Sequence, residues 1–345
     1  MQGARELRRN SHLLAVELAR THFDRFPDLA RRYGEYGRRR CIEDGEFHLS
    51  FLASAVDAGF DTIFLDYIAW AKTMLAARGV SPDELIEHLR SLSPLLATHL
   101  RESDVASMTS VIDRAIDELP SMPSDVPSFI DPETEVGRVA SEYLSLLIDA
   151  DERGANGAIA RALDRGMNLV EVCSSVFEVV QQEVGRLWQL NRISVAVEHY
   201  CTQTALRTLT RICTARTVRN RDERRRVLAM CAPDEHHDLG LLALTELLAL
   251  EGWQTFFLGA NVPATAVAQM CSERGADVLL VSASLPTRIA GVSEVVQLVH
   301  ADNRTKDIRI IVGGRAFNRN PEVWRVTGAD AFAASGAAAL ALLRD

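Results

Sequence analysis

No stretch of this chain approaches the roughly 20 consecutive apolar residues that span a bilayer. The N-terminus carries Arg5, Arg8 and Arg9 but lacks the apolar core and cleavage site of a secretory signal. Cysteine is sparse and unpatterned, with six residues, no Cys-x-x-Cys pair and no regular framework. That excludes a disulfide scaffold and points to reduced thiols in the cytoplasm. Positive charge is short as well, and a formal net charge of −9 argues against a surface built to hold nucleic acid. The one basic run, Arg219 to Arg226, reads as a solvated linker. There is no internal repeat, and residues 1–118 lack a helix-turn-helix followed by a basic recognition helix. What remains is an ordinary globular composition, 47% hydrophobic and 25% charged over 345 residues, enough for two or three domains.

Strand signals are confined to the last third, at Arg226–Ala232, Gln254–Leu258, Asp277–Ser282, Ile308–Val312 and Asp330–Ala334. Helical patterns such as Leu239–Leu250 and Ala264–Arg274 lie between them. Apolar strands alternating with helices predict a parallel sheet covered on both faces, with ligands bound beyond the carboxyl ends of the strands. Residues 133–217 show only helix-period apolar stripes. They are broken near Gly154-Ala155-Asn156-Gly157 and Asn191-Arg192, which predicts four helices from about Thr134, Gly157, Asn168 and Ile193. A proline-rich stretch from Leu119 to Ser128 reads as a boundary. The expected organisation is a multi-domain chain: an N-terminal all-α unit (1–118), a linker (119–132), a four-helix bundle (133–217) and a C-terminal α/β flavodoxin-like (Rossmann-like) domain (218–345).

The most specific pattern lies just after the first predicted strand, at Glu235-His236-His237-Asp238-Leu239-Gly240. Forty-one residues separate Gly240 from Ser282-Ala283-Ser284, and twenty-eight separate Ser284 from Gly313-Gly314. An imidazole ligates first-row transition metals well, and a carboxylate on its other nitrogen fixes the tautomer and raises its basicity. A glycine three residues on lets a ligand approach the backbone closely. Asp234 and His236 also form a carboxylate-x-His frame, but Leu239 stands where that frame needs glycine, which leaves His236 as a polar loop residue.

The three blocks resemble the cobalamin-binding signature, an Asp or Glu, x, His, x, x, Gly block followed by Ser-x-Leu and Gly-Gly. The resemblance implies that His237 ligates cobalt from below, with Glu235 as its partner and Gly240 beneath the corrin. Ser282, Gly313 and Gly314 would border the displaced nucleotide base. Ser284 replaces the family's leucine.

Upstream, Trp188 is followed after nine residues by Glu198-His199. This pattern resembles the helical cap of adenosylcobalamin-dependent repressors of carotenoid genes. The likeness covers residues 133–345, and implies that Trp188 packs against the adenosyl group, Glu198 hydrogen-bonds it and His199 frames the pocket. The repressors carry a histidine directly after the tryptophan, where this chain has Gln189, a poor metal ligand.

The first 118 residues hold ten aromatic residues between Phe23 and Trp70, with arginines at Arg31, Arg32 and Arg38 to Arg40, and histidines at His22, His48, His88 and His99. Taken alone, these describe a helical core with a solvated basic face. They also describe an aromatic pocket rimmed with arginines, suited to a flat apolar molecule bearing two carboxylates. An aromatic-rich helical unit ahead of this cap and cobalamin domain resembles the photocobilins, which pair cobalamin with biliverdin. Cys41 is a possible covalent link to a bilin, and a haem held by one of the histidines is the competing cofactor. The resemblance implies a non-enzymatic light sensor that loses its adenosyl group on illumination and passes the signal through a change of homo-oligomeric assembly or to a separate effector. Direct binding of nucleic acid or membrane is not expected. The alternative is a corrinoid protein that carries methyl groups in a methyltransferase system.

Overall fold

The computed structural model describes residues 2–216 and 225–344 and divides into two compact units, Met1–Val126 and Pro127–Asp345. Most of the run from Arg219, and the expected boundary at 217/218, lie outside the described residues.

The first unit is helical throughout: α1 (Gln2–Arg25), α2 (Pro27–Ala58), α3 (Thr62–Ala76), α4 (Pro82–Arg90), α5 (Leu92–His99) and α6 (Glu102–Glu118). Leu7, Leu14 and Leu18 on α1, Leu49 and Leu52 on α2, and Phe64 and Ile68 on α3 recur at helical spacing and are buried. Gly34 bends α2 with a φ of 60°, in the left-handed region where a side chain is strained. A reciprocal cap between Ser81 and Glu84 opens α4. The linker expected from residue 119 begins later than predicted. Leu119 is buried, and the Lys72 Nζ donates to the carbonyl oxygens of Leu119 (3.0 Å) and Met122 (2.6 Å), which draws this stretch into the helical unit.

In the second unit four helical segments precede the sheet. They are α7 (Glu135–Ile148), α8 (Glu152–Asp164), a short α9 (Leu169–Glu171) running through a π-turn (Val172–Val176) into α10 (Phe177–Gln189), and α11 (Val195–Thr214). Each begins at a side-chain cap that satisfies an otherwise orphaned amide. The Gly137 amide donates to Thr134 (2.9 Å), Gly154 to Asp151 (2.8 Å), Glu171 to Asn168 (2.8 Å) and Val197 to Ser194 (3.3 Å). The second helix therefore starts at Glu152, and the predicted break at Gly154–Gly157 lies inside it. Ala155, Ala158, Ile159 and Ala162 form a buried stripe that carries the helix through its glycines. Gly154 leaves room for the cap, because a Cβ there would lie 2.2 Å from an Asp151 carboxylate oxygen.

The sheet follows as β1 (Arg226–Cys231), α12 (Leu239–Leu250), β2 (Gln254–Gly259), α13 (Ala264–Arg274), β3 (Val278–Ser282), α14 (Ile289–Ala301), β4 (Arg309–Gly313), α15 (Arg315–Asn318), β5 (Ala331–Ala333) and α16 (Gly336–Arg344). All strands are parallel, in the order β2-β1-β3-β4-β5, which is the flavodoxin-like arrangement. The middle strands are the most apolar because helices cover both faces. One continuous core joins the bundle to the sheet, running from Tyr143, Phe177 and Leu209 through Val227 and Ala229 of β1 to Leu244 and Leu248 of α12. The bundle is thus seated on the domain that bears His237.

Candidate functional site

Parallel register places the motif blocks side by side. Cys231 pairs with Ser282, Ser282 with Gly313, and Gly313 with Ala333, so the loops leaving β1, β3 and β4 emerge along one edge of the sheet. The β1–α12 loop is held on both flanks. Toward β2, the Asp234 amide donates to Asn261 Oδ1 (2.9 Å), and the Asn261 amide returns a bond to the Glu235 carbonyl (2.9 Å). Asp234 and Asn261 both adopt positive φ, a conformation that Asp and Asn tolerate better than other side chains do.

Toward β3, the loop is held by the Glu235 carboxylate, which is 1% exposed. Its Oε1 accepts from the backbone amides of His236 (2.9 Å) and His237 (3.0 Å) and lies 2.5 Å from His237 Nδ1. Its Oε2 accepts from the amides of Ser284 (2.6 Å) and Leu285 (3.2 Å). Burial alone would raise the Glu235 pKa. Bonds from the His237 ring and from the His237 and Ser284 amides overcome that and hold it at about 2. The same contact raises the pKa of His237; burial opposes the rise, the nearby charge of Glu198 adds to it and Arg315 works against it. The His237 side chain is nevertheless 65% exposed. With Nδ1 committed to a buried carboxylate, Nε2 is the nitrogen left for a ligand outside the loop.

The neighbouring small residues act in distinct ways. Ser284 contributes its backbone N–H to Glu235, so losing the family's leucine side chain leaves this contact intact. Gly314 has a φ of 99°, and a Cβ there would lie 2.3 Å from the Ala283 carbonyl oxygen. Its first duty is to let β4 pass the β3 loop, whatever binds nearby. Gly313 is milder, with the Ala333 carbonyl oxygen at 3.0 Å. At Gly240, in the first turn of α12, a Cβ would meet nothing within 4 Å, so the space over that turn is open. Ser282 ends β3, half-buried, with its carbonyl bound by the Ala232 amide (2.9 Å).

On the bundle side, α10 carries Trp188 and α11 carries Glu198 and His199, and α11 packs against α12, the helix that begins two residues after His237. Trp188 is half-buried and Gln189 buried. Glu198 bonds the adjacent His199 ring and accepts from the Thr202 hydroxyl (3.2 Å), while the His199 side chain stays exposed. Glu198 is close enough for its charge to act on His237, which puts this cap residue on the histidine's side of the bundle. Sequence reasoning missed Asn261, Leu285 and Arg315. Only Asn261, in the turn that follows Gly259, left a local signal. Among the described residues, no group of three or more His, Cys, Asp or Glu could hold a metal ion by itself. No helix among them is long and apolar enough to cross a membrane.

Residues 225–344 match the family described as B12 binding domain, and residues 139–212 match a second family of the same description. A dimethylamine corrinoid protein of Methanosarcina acetivorans is 24% identical over 110 residues, 32% of this chain and 50% of that protein. The HTH-type transcriptional repressor CarA of Myxococcus xanthus is 29% identical over 142 residues, 39% of this chain and 47% of that protein. The chain thus spans about half the length of the curated relatives it matches. The solved monomethylamine corrinoid protein of Methanosarcina barkeri shares the fold, with a TM-score of 0.50 at 20% identity, covering 60% of this chain and 98% of that one. Cobalamin binding is the function these matches support. The donor set suits it: one oriented imidazole, an open nitrogen and clear space over Gly240.

Proposed function

We propose that this cobalamin-binding chain is a light sensor that uses adenosylcobalamin, held through His237 in place of the cofactor's own base. The observation that carries the reading is the packing of α11, which bears Glu198, against α12, the helix that follows the histidine loop, with the charge of Glu198 acting on His237. Adenosylcobalamin, when bound, supplies a cobalt–carbon bond that visible light breaks. The protein's part is to bind and orient. Glu235 fixes the His237 ring, its own position set by the Ser284 and Leu285 amides. Trp188 would exclude water from the bound cofactor, and Glu198 would accept hydrogen bonds from ribose hydroxyls. A change of ligand beside Trp188 would shift the balance of contacts of α11 with α10 and α12, and so would bias assembly into a homo-oligomer or onto a separate effector. Biliverdin in the aromatic-rich first unit is the second chromophore of this reading, supported by the photocobilin resemblance and by the aromatic and arginine content around α1 to α3. No catalytic residue is assigned, and no nucleic-acid or membrane partner.

The corrinoid methyl carrier remains a second reading because named corrinoid proteins are among the relatives. One experiment separates the two. The protein is supplied with adenosylcobalamin and biliverdin, and in a parallel sample with methylcobalamin, each freed of excess ligand, and absorption spectra are recorded before and after green light. An adenosylcobalamin spectrum that converts on illumination beside a retained red-absorbing band is the expected result. Retention of methylcobalamin with rejection of adenosylcobalamin would overturn the sensor in favour of the carrier. A converting spectrum without the red band would remove biliverdin alone.

A further inference from the structure

The first unit hides three histidines that the cobalamin site does not use. His22 ends α1, His48 lies on α2 and His88 on α4, and all three are buried, at 5%, 1% and 7% exposure. Their rings form a row. His88 stands between the others, with its centroid 5.0 Å from that of His22 and 5.2 Å from that of His48. At the far end of the row the His48 Nδ1 meets the Tyr67 hydroxyl of α3 at 2.7 Å, and His88 Nδ1 lies 3.8 Å from the Cys41 sulfur. His22 Nδ1 and His88 Nε2 are buried without a hydrogen-bond partner, an arrangement that calls for an explanation.

The surrounding charges do not stabilise a charged row. From α1, Arg25 faces His22 and bridges to Glu87 (3.2 Å). From α4, Glu84 and Glu87 act on His22 alone, and weakly enough that burial still keeps that ring neutral. From α2 come Cys41 and Asp44. The thiol pKa is pushed up to about 12 by burial and Asp44, and burial raises the Asp44 carboxyl to about 6. Lys72 of α3 is engaged by the carbonyls of Leu119 and Met122. The buried side chains of α5 and α6 are all apolar. A proton on His88 would therefore sit in an apolar core between two imidazoles, with no carboxylate in contact.

We infer that the row His22–His88–His48 is an acid-triggered latch, holding the first unit closed while all three rings are neutral and releasing α1, α2 and α4 when they take up protons. The sign follows from burial. Desolvation lowers all three pKa values, that of His48 to about 4 and that of His88 with the added repulsion of its neighbours. Between the ordinary histidine value of 6.5 and about 4, the opened unit binds protons that the closed one refuses, so closure weakens as pH falls. Asp44 runs the other way. Its raised pKa makes the closed unit take up one proton between about 6 and 3.8, which offsets one of the three imidazoles. His48 and His88 then leave about one proton net taken up on opening near pH 5, and His22 adds to it in the same direction, so the equilibrium rises at least roughly 10-fold per pH unit there.

The test uses the full chain and measures segment-resolved hydrogen exchange from pH 7.5 to 4.5, corrected for intrinsic rates. Peptides of α1, α2 and α4 are expected to open with a slope of at least roughly 10-fold per pH unit, while the sheet helices stay protected. His88→Phe keeps an aromatic ring without a titrating nitrogen and is expected to take roughly a factor of 10 per pH unit off that slope. His22→Gln, at the outer end of the row, is expected to lower the slope in the same direction and serves if the central variant does not fold. A folded variant that keeps the parent's slope, or opening of both units at one pH, would overturn the latch.

Discussion

The two units of this protein bury their chemistry in opposite ways, and their histidines show it. His22, His48 and His88 are enclosed, lack a carboxylate in contact and have lowered pKa values because water is excluded. His237 is exposed, but its Nδ1 rests 2.5 Å from a carboxylate that is itself buried and bound by four backbone amides. In the first unit the rings are inside and nothing holds them by charge. In the second the anchor is inside and the ring is outside. A histidine serves as an external ligand when one nitrogen is fixed and the other is free, and burial of the ring defeats the second condition.

The largest expected effect breaks the comparison at its centre. His237→Ala is expected to lose lower-face coordination and to weaken cobalamin binding by more than the roughly 10–100-fold typical of removing a partner behind a metal ligand. His88→Phe, in the other unit, is expected to leave that affinity unchanged. Equilibrium titration of both variants checks the pair, and equal losses would show that the two histidine environments are not functionally distinct.

Next comes the anchor. Glu235→Ala strands the amides of Ser284 and Leu285 and is expected to cost about 3 kcal/mol of stability, along with roughly 10–100-fold in cobalamin affinity. Glu235 has a folded pKa of about 2 against an ordinary 4.5, so its contribution is complete above 4.5 and lost as pH falls through about 2. The second unit is therefore expected to keep this anchor through the range in which the first unit's histidines titrate. Chemical denaturation of parent and variant at pH 7 and pH 5 reads this directly, and the stability difference should persist at pH 5.

A smaller pair of effects separates glycines that look alike in the motif. Gly314→Ala meets the Ala283 carbonyl oxygen at positive φ and is expected to cost about 2–4 kcal/mol whether or not cobalamin is present. Gly240→Ala meets only open space, so apo stability should change little while cobalamin affinity falls. Thermal melts with and without cobalamin distinguish the two roles.

The legibility of these features in the sequence follows from how local they are. The five strands and the order of helices between them were readable because apolar runs and their spacing are local, and a parallel sheet leaves few ways to arrange them. The start of α8 was misplaced because glycines at 154 and 157 signal a turn, whereas the Asp151 cap and the alanine stripe outweigh them. Glu235 and His237 were readable as a pair because the carboxylate and ring lie two residues apart. The amides of Ser284 and Leu285 were not, since a backbone group has no residue signature. The row His22–His88–His48 was hidden for a different reason: its members come from three helices, and only packing makes them neighbours.

The central claim is that the His237 ring, through its free nitrogen, is the protein's ligand to cobalt. Electron paramagnetic resonance of bound cob(II)alamin tests it, because a coordinated nitrogen splits each cobalt line. Protein labelled with 15N-histidine is expected to turn the three-line splitting of an ordinary nitrogen ligand into two lines, and His237→Ala to abolish that change. A three-line pattern unaffected by the label would mean that the cofactor keeps its own base on cobalt, and would contradict the account.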